Sequence, residues 1–323
     1  MSVLSMQKSY NHHLVKTRWD YYRLHYLTIP RFYGAVVVMI DGVQHHGGLA
    51  DRFRHILSIY SYCKEHQLNF KLHYIYPCDL SLFLLPNEYD WCIDNSQISY
   101  SVIDSLDVNI YLSSSMPSHR SYNWQLSIMD ECLPKKHWKQ IHVYGNSCFA
   151  EKEFFSLFRE LFKPSPLLSS KVAGITKSWE KNYESVVLRF QSLLGDLAEG
   201  NHPTLGLKER DALINRCINK ILELYEDGYF SSKHIFVTSD SSSFIERISR
   251  FPFVYVVKGK RDHMDFTRDK DADIDVQIKP FEDLFLLKQS CRITLLQTGC
   301  MYNSGFPRFA ASVGRVPFNY LHF

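Results

Sequence analysis

The chain has no uninterrupted apolar run of about eighteen residues, the length a helix needs to span a bilayer, so no transmembrane helix is expected. Residues 1–17 are polar with scattered bases and lack the apolar stretch of a signal peptide. Eight cysteines stand singly, with no Cys-x-x-Cys pair and no zinc-finger spacing, and with Cys63, Cys217 and Cys291 on apolar faces they read as reduced, buried thiols of a cytosolic protein. A net charge of +3 is too weak to argue for a nucleic-acid partner. No internal repeat or low-complexity tract occurs. The Gly-x-Gly-x-x-Gly dinucleotide fingerprint and the Lys-Ser/Thr of a P-loop are missing too.

What is present points to α/β architecture. At 323 residues, 45% hydrophobic and 15% aromatic, the chain can build real cores and exceeds the usual limit for one. Residues 1–33 form a basic, aromatic lead-in. Ala35–Ile40 is an apolar, β-branched run too short for a helix, and reads as a buried parallel strand. Asp41-Gly42 turns the chain and Gly47-Gly48 precedes a helical pattern in which Phe53, Ile56, Leu57, Tyr60 and Cys63 recur on one face. A strand, a glycine loop and a helix start can bring backbone N–H groups to a phosphate, with Arg52 and Arg54 adding guanidinium forks. The same glycines also suit a plain turn with solvated arginines, and the local pattern leaves both open.

Further strands are expected over 70–76, 108–112 and 140–144, and helices over 80–85, with Asp79 as N-cap, and 151–162. Lys163-Pro164-Ser165-Pro166 marks the best domain boundary, dividing an N-terminal domain over 34–165 from a C-terminal one over 166–323. The second half repeats the alternation. Strands are expected over 185–190, 234–237, 253–257 and 293–296, and helices over 207–225, 244–248, 280–288 and from 305 through Val313. Ligands of open α/β sheets sit beyond the carboxyl ends of the strands. Gly47-Gly48, Arg189, Asp240 and 298–304 all fall at such ends.

Three segments of the second half resemble the short motifs of the fucosyltransferase superfamily that includes the α1,2-, α1,6- and protein O-fucosyltransferases. Val186-Val187-Leu188-Arg189-Phe190 resembles the His-x-Arg-Arg strand. Ile235-Phe236-Val237-Thr238-Ser239-Asp240 resembles the strand ending in Thr/Ser-Asp, and Tyr302-Asn303-Ser304-Gly305-Phe306 the Ser-x-Phe segment before a helix. His-Gly-Gly-Leu-Ala-Asp-Arg, running to Arg52, is similar to the donor-facing loop of the first domain. The likeness spans most of 34–323 in order, through short and degenerate motifs. It implies a GT-B fold, an N-terminal acceptor-side and a C-terminal nucleotide-sugar-binding Rossmann-like domain with mostly parallel sheets facing a central cleft, GDP-fucose as donor and no metal or other cofactor. Arg189 would take the essential arginine's place on the β-phosphate, and Asp240 would lie near guanine or ribose. Thr298, Ser304, Gly305 and Phe306, with Gly47, Gly48, Leu49 and Arg52, would bind the donor. Two positions depart from the pattern: Val187 replaces the motif's histidine and Phe190 its second arginine, a loss that Arg52 could offset.

Transfer from a nucleotide sugar builds negative charge on the departing diphosphate, which fixed donors must meet when no metal does. An inverting displacement also needs a base for the acceptor hydroxyl, normally a carboxylate. Asp196 and Glu199, just past Arg189, are the nearest candidates, and Asp51 is a third. His263 and Asp265 lack a third ligand of matching spacing, and the 268–275 acidic run lacks the glycine and glutamate of a calcium loop. The sequence therefore reads as an inverting, metal-independent fucosyltransferase acting on a glycan or polysaccharide. Its expected location is the cytoplasm, with at most peripheral contact at the inner face of the membrane. The rival readings are a GT-B transferase using another nucleotide sugar, and a non-catalytic nucleotide-sugar-binding scaffold.

Overall fold

The computed structural model describes residues 34–44, 46–111, 118–133, 138–147, 149–196, 203–259 and 273–323. The lead-in 1–33, Glu199, the His263 and Asp265 pair, and 268–272 lie outside the described residues. The chain forms two compact units. The first takes the described part of Met1–Leu80 and Pro86–Lys163, and the second Ser81–Leu85 and Pro164–Phe323.

In the first unit β1 (Ala35–Ile40) is buried at every residue and lies inside a parallel sheet. Helix α1 (Leu49–Glu65) follows, then β2 (Asn69–Tyr74). The chain then leaves the unit through a single 3-10 turn, Leu80–Leu82, and the short strand β3 (Leu84–Pro86), where a helix over 80–85 was expected. Three residues with a proline at the end cannot supply the i to i+4 bonds of an α-helix. Next come β4 (Ser105–Ile110), α2 (Ser118–Cys132), β5 (Gln140–Gly145) and α3 (Phe154–Leu161). The order is β2-β1-β5-β4, all parallel, with Ile40 level with Tyr74 and Val38 with Val143. Phe53, Ile56, Leu57, Tyr60 and Cys63 of α1 are all buried, and Phe53 packs edge-on against Phe158 of α3 at 5.5 Å.

Strand alternation and this register put Lys71, His73, Asp107, Asn109, Gln140 and His142 on one face of the sheet, all buried. A buried polar face must be hydrogen-bonded to be stable. Gln140 meets part of that need, since its Oε1 faces His142 Nε2 at 2.9 Å and accepts the Ser99 N–H at 3.0 Å.

The chain enters the second unit through β6 (Phe162–Pro164) and α4 (Pro166–Thr176). The Pro-Ser stretch expected to mark the domain boundary also starts a helix. Ser165 Oγ accepts the Leu168 N–H at 3.2 Å and Pro166 takes the first helical position, where its missing N–H costs nothing. Strand β7 (Glu184–Leu188), α5 (Leu207–Glu226), β8 (Ile235–Ser239), α6 (Ser242–Ile248) and β9 (Val254–Tyr255) come next. Helix α7 (Ile274–Leu287) begins six residues before the expected Pro280 and carries that proline inside. It is followed by β10 (Ile293–Gln297), α8 (Gly305–Gly314) and an unforeseen last strand, β11 (Phe318–His322). The parallel sheet runs β11-β10-β7-β8-β9. Val186, Leu188 and Phe190 pack with Ile214, Cys217 and Val237 in its core. Of the thiols expected on apolar faces, Cys63 and Cys217 are buried and Cys291 is exposed.

Candidate functional site

The central strand of the second sheet, β7, delivers Arg189 at its carboxyl end. Asp240 stands at the same end of the adjacent β8. Its Oδ1 accepts the Phe190 N–H at 2.9 Å and its Oδ2 the Gln191 N–H at 2.6 Å, while Arg189 Nη1 lies 3.3 Å from Oδ2. Gln191 holds a left-handed φ of 53°, so this carboxylate clamps a strained turn. Burial raises the Asp240 carboxyl above its ordinary pKa, against the opposing pull of Arg189 and the two backbone donors. Asp240 therefore orients the arginine and holds the turn that follows it. The Arg189 side chain remains 21% exposed. Its backbone carbonyl accepts the Tyr302 N–H at 3.1 Å, which draws the 298–304 segment to the same edge.

The other expected residues divide between exposed edge and interior. Ser304 caps α8, its Oγ accepting the Phe306 N–H at 3.3 Å, and Gly305 and Phe306 form the half-buried first turn. Thr298 is fully buried and its hydroxyl donates to the Phe323 carbonyl at 2.5 Å, so it ties down the chain's last residues. Asp196 Oδ2 accepts from Ser241 Oγ at 2.6 Å and from Ser243 N and Oγ, each at 2.8 Å. It secures the start of α6 through three donors on one oxygen. Val187 and Phe190 are core residues.

In the first unit the glycine loop sits at the carboxyl end of β1. Gly47 adopts φ 73°, and a Cβ there would stand 3.3 Å from Asp51 Oδ2. Gly48 caps α1 with no side-chain donor or acceptor, and the first helical bond runs from Arg52 N to Gly48 O at 3.1 Å. The helix itself therefore leaves unbonded the N–H groups of Leu49 and Ala50, both buried, and of exposed Asp51. The Asp51 carboxylate leans over this start and pairs with Arg54 at 3.4 Å. Arg52 points inward. It is 0% exposed, donating to Gly47 O at 3.0 Å, Tyr76 O at 2.5 Å and Tyr74 OH at 3.2 Å. It braces the loop from inside.

One hub escaped the sequence reading. Asp41, just past β1, accepts from the Val43 N–H at 3.0 Å, Tyr100 OH at 3.0 Å and Tyr144 OH at 2.9 Å. His46 Nε2 accepts the Gly42 N–H at 3.1 Å beside it. Burial would raise the Asp41 carboxyl, yet His46, the Val43 N–H and Tyr144 hold it below the usual carboxylate range. An aspartate at a strand's end was the available signal, but its tyrosine partners lie 59 and 103 residues away.

No protein-family model matches the sequence, and no curated protein matches it in sequence. Solved structures do match in three dimensions. The α1,6-fucosyltransferase NodZ, soaked with GDP-fucose, superposes with a TM-score of 0.55 at 13% identity, over 86% of this chain and 92% of that one. Arabidopsis thaliana FUT1, an arginine-to-lysine variant bound to GDP, gives 0.56 at 10% identity, over 97% and 74%. The chain has a GT-B-type fucosyltransferase fold. Among the described residues, no helix is long and apolar enough to cross a membrane, and no three His, Cys, Asp or Glu side chains are placed to share a metal ion.

Proposed function

We propose that the protein transfers fucose from GDP-fucose to a glycan hydroxyl, with inversion and with protein donors in place of a metal ion at the diphosphate. The observation that carries the reading is Arg189, partly exposed at the carboxyl end of the central strand and oriented by a buried carboxylate, within a fold similar to fucosyltransferases solved with GDP and GDP-fucose. A guanidinium held in place before the reaction meets charge on the leaving diphosphate without reorganising. The Ser304 to Phe306 helix start adds backbone N–H groups at the same sheet edge. Asp51, Asp196 and Glu199 are the candidate bases, to be tested by alanine substitution.

The deciding experiment is a thermal-shift screen with GDP, UDP, ADP and GDP-fucose. A ligand at a hundredfold over its Kd stabilises the folded state by about 2.7 kcal/mol. Protection by GDP and GDP-fucose that Arg189→Ala abolishes supports the reading. Protection by another nucleotide alone moves the assignment to a different donor, and GDP protection without fucose release favours a binding scaffold.

A further inference from the structure

Among the described residues, the large apolar side chains most exposed to solvent include two aromatics, Tyr302 at 49% and Tyr320 at 40%, and one amide braces both. Tyr320 OH donates to Gln297 Oε1 at 2.7 Å, and Gln297 Nε2 donates to the carbonyl of Met301, the residue before Tyr302, at 2.5 Å. The loop between them is pinned. Met301 is buried against Cys217 of the core, and the Tyr302 N–H is bound to the Arg189 carbonyl. Arg308 lies across the rings of Phe318 and Tyr320, at 4.9 and 5.7 Å, and donates to Asn303 Oδ1 at 3.4 Å. The result is a rigid, solvent-facing set of aromatic faces interleaved with planar polar groups (Asn303, Gln297, Arg308). It extends from the Arg189 turn toward the edge strand β11.

We infer that this surface is a carbohydrate subsite that holds the acceptor glycan beside the donor edge, an inference that rests on the proposed transfer reaction. A sugar ring presents an apolar C–H face and a rim of hydroxyls. Tyrosine offers a flat apolar body with a polar tip at little entropic cost, and amide and guanidinium planes match hydroxyl pairs. The Arg308 guanidinium laid across these rings suits a neutral or mildly anionic chain.

The test is affinity electrophoresis of the full chain in native gels containing a soluble glucan, galactan, mannan or glycol chitin, run alongside the GDP thermal shift. Retardation by at least one polysaccharide is expected, weakened about tenfold in Tyr302→Ala and Tyr320→Ala and preserved in Tyr320→Phe, which keeps the ring. Alanine variants retarded as strongly as the parent protein would overturn the subsite, as would a parent protein that no gel retards. A concentration-dependent dimer lost in Tyr320→Ala, without retardation, would overturn it in favour of a self-association surface. GDP protection with no retardation leaves the donor reading standing and rejects only the subsite. Tyrosine-dependent retardation without GDP protection does the reverse.

Discussion

Asp240 holds Arg189 by two routes at once, an ion pair at 3.3 Å from Oδ2 to Nη1 and a grip on the N–H groups of the next two residues. Guanidinium and turn are thus fixed by one buried carboxylate. In Asp240→Asn the amide cannot accept at both ends, so one buried N–H or the guanidinium loses its partner. The expected cost is about 2 kcal/mol of stability with roughly tenfold weaker GDP binding. Urea melts and a GDP titration check both, and unchanged GDP affinity would show that Arg189 does not depend on Asp240.

Arg189→Lys keeps the charge and loses the planar fork. Fucose release from GDP-fucose is expected to fall about a hundredfold, with the urea midpoint little changed. Equal turnover would remove Arg189 from the diphosphate.

Arg52→Met exchanges a buried guanidinium for an apolar chain of similar length. Two carbonyls and the Tyr74 hydroxyl then lose their donor, and stability should drop by about 3 kcal/mol. Refolded at low temperature, the variant should bind GDP within about threefold of the parent. A selective loss of GDP binding in a fully stable variant would instead make Arg52 a phosphate ligand.

Asp196→Ala removes the acceptor at the start of α6. The expected effect is a loss of about 1–2 kcal/mol, with the pH profile of kcat unchanged. A drop in kcat of a thousandfold or more, with the profile's acid limb abolished, would restore Asp196 as the base.

Acid should unfold the first unit early. His55 and His142 are fully buried, and burial lowers both from 6.5 to about 3. Between those values the unfolded chain binds protons that the folded chain refuses. Stability is therefore complete above about pH 6.5 and falls as pH drops, by about 1.4 kcal/mol per unit for each histidine. Urea midpoints at pH 7.5 and pH 5 measure this, and His142→Gln should flatten the dependence. Equal midpoints in the parent protein would mean that the two rings protonate in the folded state.

The alternation of strands and helices was readable because its signals are local. The β1 run, the α1 stripe and the α5 stripe each bury residues at the period their own segment dictates. Where the local signal pointed two ways, more distant contacts decided. Ser165-Pro166 reads as a boundary and also serves as an N-cap, a role that the Leu168 N–H bond reveals. Strand β11 is half-exposed aromatic sequence with no run of its own, and it becomes a strand because β10 offers it an edge.

By itself, the sequence determined that this is an α/β protein with glycine and arginine signals at the carboxyl ends of strands. Hydrophobic periodicity and turn chemistry act over a few residues and survive without knowledge of the rest. Only the tertiary structure decided which charged residues face solvent and which serve the interior. It turned Arg52 inward, made Asp196 a cap and Asp240 a clamp, and gathered Asp41 with Tyr100 and Tyr144. A charged side chain's role follows from its partners and its burial, and these partners come from residues tens of positions away that meet only when the sheet closes.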